Sequence, residues 1–113
     1  MKQIFKTTFA GLMLAAAFTS MHAANAGDAA TLEKGMQLFK SGAVPACAVC
    51  HTLQSAGAEG AIGPDLDEMK PDQQRVAKAI KTGIGQMPAF TTLSDDDITA
   101  IARYVAHATG GSK

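Results

Sequence analysis

Two thiols and an imidazole fall within five residues of this chain, in the run Cys47-Ala48-Val49-Cys50-His51. Thiols three positions apart on one helical turn can reach two reactive groups along one edge of a planar ligand. The next residue can then aim its imidazole at the ligand's centre from the same side. C-x-x-C-H is the attachment signature of c-type haem. Thioether bonds from Cys47 and Cys50 to the two vinyl groups would keep that cofactor on a small chain, with His51 on the iron. Other chemistries compete for these residues. A thiol–disulfide active site expects a thioredoxin-like βαβ context, and none is evident. A zinc site needs about four N or S donors, and the candidates are Cys47, Cys50, His51 and the distant His107. A structural disulfide between Cys47 and Cys50 would close a very short loop and gain little from chain entropy.

A sixth donor for an iron lies 36 residues beyond His51, at Met87 in the run Gly83-Ile84-Gly85-Gln86-Met87-Pro88-Ala89-Phe90. A thioether sulfur is a soft ligand that suits haem iron, and Met/His ligation raises the reduction potential. Methionine is usually core filler. Here the glycines and Pro88 describe a fixed non-helical loop, not an apolar helix face. Met36 sits on a helical stripe and reads as core, and Met69 reads as packing. The turn Gly63-Pro64-Asp65-Leu66 supplies a third element. An iron-bound histidine normally donates its other ring N–H to a fixed acceptor, and the carbonyl of Pro64 would serve.

Three helices are expected to position these groups. The first spans about Asp28 to Lys40, where Leu32, Gly35, Met36 and Phe39 share one face and Asp28 or Thr31 can cap the start. The second spans Pro71 to Thr82, with Pro71 as its first residue and Gly83 ending it. The third runs from Ser94 to about Ala108. Ser94 can cap it, Asp97 completes a variant capping box, and Leu93 with Ile98 forms a hydrophobic staple. No segment alternates with period two, so no sheet is expected. The thirty residues from Ser41 to Lys70 carry repeated Gly and Pro, and a loop of that length in a compact domain normally wraps a ligand or serves a function.

The chain has 113 residues, 10 basic and 10 acidic, so it holds one small domain and lacks the basic footprint of a nucleic-acid binder. Lys2 and Lys6 followed by the apolar run Phe9–Phe18 and Ala24-Asn25-Ala26 read as a secretory signal peptide, residues 1–26. The apolar run is well short of the ~20 residues a membrane span needs. Cleavage after Ala26 (Ala24 is the other choice) would leave Gly27–Lys113 as the mature domain, with eight basic and ten acidic side chains. That domain has no membrane span. Its few aromatics, Phe39, Phe90 and Tyr104, make a bound cofactor a natural part of its core.

Taken together, the opening helix (Gly35, Leu38, Phe39), CAVCH, the IGPDL turn, the MPAF loop and the IARYV closing helix resemble class I, monohaem cytochromes c of the small soluble bacterial type. The resemblance covers nearly all of the mature chain. It implies an all-α fold wrapped round one covalent haem c with its iron. It implies Cys47 and Cys50 as thioether sites, His51 and Met87 as axial ligands, and Pro64 as acceptor for His51. It also implies that the first and last helices cross near Gly35, with Phe39 against Tyr104. The family's usual Trp or Tyr near the haem propionates is missing, which leaves Arg75 and Lys70 as candidates for that task. The implied role is a periplasmic carrier of single electrons, not an enzyme. It would act as a monomer or in transient complexes, with a periplasmic dehydrogenase as donor and a terminal oxidase or another cytochrome as acceptor. Its contact patch would be Ala61, Ile62, Ile84 and Ala89. The general run of the sequence is nearest to cytochromes serving periplasmic sulfite dehydrogenases, so a dedicated haem subunit of such an enzyme is the alternative. Further off stands a non-haem thiol–disulfide protein.

Overall fold

The structure is a computed structural model and describes residues 20–111. The expected n-region and the apolar run Phe9–Phe18 lie outside these residues. Helix α1 spans Ser20–Gln37 and runs on into a π-helical turn, Leu38–Gly42. The short α2, Cys47–Cys50, follows. A two-residue strand β1 (Thr52–Leu53), a 3₁₀ turn (Gln54–Ala56) and strand β2 (Ala58–Glu59) come next. Then come α3 (Leu66–Met69), α4 (Gln73–Thr82) and α5 (Asp95–Thr109).

Helix α5 follows the sequence pattern closely. Ser94 is its N-cap, its hydroxyl accepting from the Asp97 N–H while the Asp97 carboxylate accepts from the Ser94 N–H. Gly110, at φ 76°, ends it in the left-handed conformation that suits glycine. Ile98, Ile101, Tyr104 and Val105 are all buried on it.

The other two expected helices need correction at their starts. α1 is already helical from Ser20, the first described residue, so neither Asp28 nor Thr31 caps it in the full chain. Thr31 instead bonds back to the Gly27 carbonyl inside the helix, and Asp28 pairs with Arg103 of α5 at 2.6 Å. α4 begins at Gln73 with Asp72 as its cap, accepting from the Arg75 N–H. Pro71 is therefore outside the helix and buried. The expectation of no sheet is also corrected. β1 and β2 pair antiparallel, Thr52 with Glu59 and Leu53 with Ala58. Strands of two residues are too short for alternation to register as a pattern.

The core sits where α1 and α5 cross. Phe39 and Tyr104 meet edge to face with ring centroids 6.2 Å apart, and such a pair adds about 0.5–1.5 kcal/mol beyond its buried area. Gly35 makes the crossing close. A methyl built there would lie 2.6 Å from the Tyr104 Cβ and would also strike the Ala100 carbonyl. Phe39, Leu53, Ile101 and Val105 are the largest fully buried side chains, so the hairpin contributes Leu53 to the same core. Among the described residues no helix is long and apolar enough to cross a membrane.

Candidate functional site

Below that core the shorter elements enclose a cavity of about 670 Å³, a size typical of cofactor sites. Cys47, Cys50, His51, Pro64 and Met87 all line it. The structure thus brings these five expected site residues together from three separate parts of the chain.

Each is positioned by local backbone bonding. In α2 the Val49 N–H donates to the Ala46 carbonyl and the His51 N–H to the Cys47 carbonyl, which turns both cysteines and the histidine toward one side. The Gly63 N–H then donates to the Cys50 carbonyl at 2.7 Å, folding the Gly-Pro turn back over His51. His51 Nδ1 lies 2.8 Å from the Pro64 carbonyl oxygen. A carbonyl only accepts, so Nδ1 carries the proton, and in the neutral ring Nε2 keeps a free lone pair.

Met87 is held by a tight turn. Its N–H donates to the Ile84 carbonyl, and the Ile84 N–H donates to the Met87 carbonyl, at 2.9 and 3.0 Å. Gly85 at the turn has φ 56°. Gly83, at φ 67°, passes so close to the loop that a Cβ would lie 2.7 Å from the Met87 carbonyl. The loop closes where the Phe90 N–H donates to the Ile80 carbonyl of α4, with Phe90 buried.

Two glycines beside the motif do more than form loops. A Cβ on Gly63 would sit 2.6 Å from the His51 ring, and one on Gly60 2.6 Å from the Cys50 backbone carbon. Both positions are clearance for the CAVCH turn. The signal existed as bare glycines, but nothing in the sequence says what a glycine lies against. Asp67 is likewise more than a solvated charge: it accepts from the Gln54 N–H at 2.7 Å, tying α3 to the hairpin. Asp65 caps α3. Met69, expected to be packing, lines the cavity, whereas Met36 packs against the helical core as expected. Of the two cations considered for the propionates, Arg75 lines the cavity and Lys70 does not. Lys70 ends α3 at φ 48°.

The environment is apolar. Burial pushes the Cys47 thiol up to about 11, a backbone hydrogen bond opposes this, and the neighbouring Cys50 adds to it. Ile62 and Ile84 stand at the mouth, each 70% exposed. Ala61 and Ala89 are exposed beside them.

A family profile described as cytochrome C oxidase, cbb3-type, subunit III matches residues 30–105, from α1 through most of α5. The chain belongs to the cytochrome c family. This cytochrome is 36% identical over 85 residues to cytochrome c6 of Cyanidioschyzon merolae, covering 68% of this chain and 74% of that one. It is 34% identical over 73 residues to cytochrome c-551 of Halorhodospira halochloris, covering 63% and 92%. The crystal structure of the c-type cytochrome SorU from Sinorhizobium meliloti is 47% identical to it. That structure superposes with a TM-score of 0.70 over 74% of this chain and 95% of that one. The cytochrome is thus a small monohaem class I member, an electron carrier with covalent haem c and its iron as cofactor. The site fits that group. It offers two thiols, an imidazole with a free lone pair and a soft sulfur around one apolar cavity.

Proposed function

We propose that this cytochrome carries single electrons in the periplasm through a haem held by Cys47 and Cys50 and ligated by His51 and Met87. The observation that carries the ligand assignment is the His51 Nδ1 contact with the Pro64 carbonyl. It orients the ring, fixes its tautomer and leaves Nε2 for iron. When bound, the haem supplies a ferric/ferrous couple. The chain's residues keep that couple usable: His51 and Met87 would fill both axial positions, leaving none for a substrate. Pro88 restricts the backbone beside Met87, and the paired Ile84–Met87 backbone hydrogen bonds hold the turn, so the chain itself keeps the sulfur in place.

The proposal includes export, with cleavage near Ala26 and Gly27–Lys113 as the working domain. Donor and acceptor are redox proteins, a periplasmic dehydrogenase and a terminal oxidase or another cytochrome. They would meet the protein at the exposed apolar mouth formed by Ile62 and Ile84, with Ala61 and Ala89 beside it. Transient redox encounters of this kind use small interfaces. Co-purification of a dehydrogenase at fixed stoichiometry would instead mark the protein as a dedicated subunit. The central test is a mass and a visible spectrum of the exported protein. One haem added to a chain beginning at Gly27, with bands that sharpen on reduction, is expected. A mass equal to the bare chain after expression with haem-attachment machinery overturns the reading.

A further inference from the structure

We propose that Arg75 and Lys78 of α4 hold the two carboxylates of the haem. The assignment rests on the haem reading above. The cavity wall is largely apolar, and its charged groups are of one sign. Arg75 and Lys78 line it, and no aspartate or glutamate does. The other titratable groups on the wall are His51, Cys47 and Cys50 of the CAVCH turn, which the haem itself engages. A ligand with anionic groups on one edge and an apolar body matches that distribution.

Helix physics points the same way. Arg75 is in the first turn of α4, Gln73–Thr82, where the helix dipole disfavours a cation. Lys78 follows three residues later on the same side, and like charges at that spacing repel. An anion between them offsets both penalties. Lys34, Lys81 and Arg103 each pair with a carboxylate, whereas among the described residues neither Arg75 nor Lys78 takes part in an ion pair. Both are exposed residues that nonetheless line the cavity. This is how long cationic chains lie at a rim, stems on the apolar wall and heads near water. Arginine adds a planar fork that matches a carboxylate in two hydrogen bonds. These two residues would therefore take on the task of the family's missing aromatic propionate partner, and they are positioning residues, not catalytic ones.

The test compares holoprotein with Arg75→Gln, Lys78→Gln and the double variant. Lys81→Gln is the control, since it removes the same charge from α4 at a position paired with Asp95 and absent from the cavity wall. Reduction potential is measured against pH, with haem attachment checked by mass. A haem carboxylate beside iron raises the potential when it protonates, so its titration is a step. Removing a cation in direct contact should move that step to higher pH by about one unit or more and lower the potential at neutral pH, most in the double variant. Lys81→Gln should leave the step in place. A double variant with attached haem whose profile coincides with that of Lys81→Gln overturns the assignment and spares the haem reading. A wild-type chain without covalent haem overturns both.

Discussion

The α1–α5 crossing and the cavity wall are built on opposite plans. The crossing is packed mainly by its own side chains. Phe39, Ile101, Tyr104 and Val105 fill it, Ser94 and Asp97 cap one end and Gly110 the other. Tyr104 even has a partner for its hydroxyl, the Ser55 side chain at 2.8 Å. The wall is made of one side of α4, the single helical turns α2 and α3, and glycine-dependent loops. Short elements of this kind cannot bury enough surface against one another to be stable alone. The difference teaches a division of labour: the helix pair packs largely against itself, sharing Phe39 and Val105 with the cavity, and the cofactor would complete the core of the rest.

The largest break of that division comes from Cys47→Ala with Cys50→Ala. Covalent haem should disappear entirely from the mass spectrum and the visible bands with it. Hydrogen exchange should accelerate in residues 43–70 and 83–90 far more than in α5. Equal acceleration in both regions would show that the crossing also depends on the cofactor.

Next in size is Gly35→Ala, which strikes the crossing itself. A single methyl there meets the Ala100 carbonyl, which is backbone and cannot swing aside. Overpacking of this kind costs about 1–3 kcal/mol, and Gly35→Val should cost more. Denaturant midpoints of the holoprotein should fall, while its visible spectrum, set in the other region, stays unchanged.

Met87→Ala addresses the wall with little effect on the crossing. The protein should keep its covalent haem, lose the far-red band of a ferric iron–sulfur bond, bind carbon monoxide when reduced, and fall in potential. Met69 now sharpens this experiment because it shares the cavity. Met69→Ala should retain the band and Met36→Ala should be silent. Loss of the band in Met69→Ala with its retention in Met87→Ala would reverse the ligand assignment.

The smallest effects come from the α5 cap. Ser94→Ala removes a cap worth about 1 kcal/mol. Asp97 is held below the ordinary carboxylate value of 3.8, first by its hydrogen bond with Lys34 and then by Ser94. A lowered folded value means the stabilisation is complete above 3.8 and is lost as pH falls below it. Acid titration of thermal stability should show this loss in wild type, and Asp97→Asn should remove that part of the slope.

Local signals in the chain were sufficient for α5, whose cap, staple, stripe and terminal glycine all lie within eighteen residues, and for CAVCH, whose spacing is its own chemistry. They were weaker for the start of α1. There, in the full chain, an alanine-rich run continues helically through Asp28 and Thr31, so these potential caps lie inside the helix. Pro71 suited a helix start on its own terms. Its neighbour Asp72 took the cap because its carboxylate reaches the Arg75 N–H at 2.8 Å.

The sequence by itself determined which groups are available for the haem: two thiols, an imidazole and a sulfur in a rigid loop, in an order that marks the family. Residue type and short-range spacing suffice for that, because thioether reach, ring orientation and helix capping all act within one or two turns. Only the tertiary structure decided what lies across from each residue. It placed Gly35 against the Ala100 carbonyl, Gly63 against the His51 ring, Met69 and Lys78 on the cavity wall and Lys70 off it. Those facts depend on contacts between segments tens of residues apart, and a chain read residue by residue carries the partners without saying which of them meet.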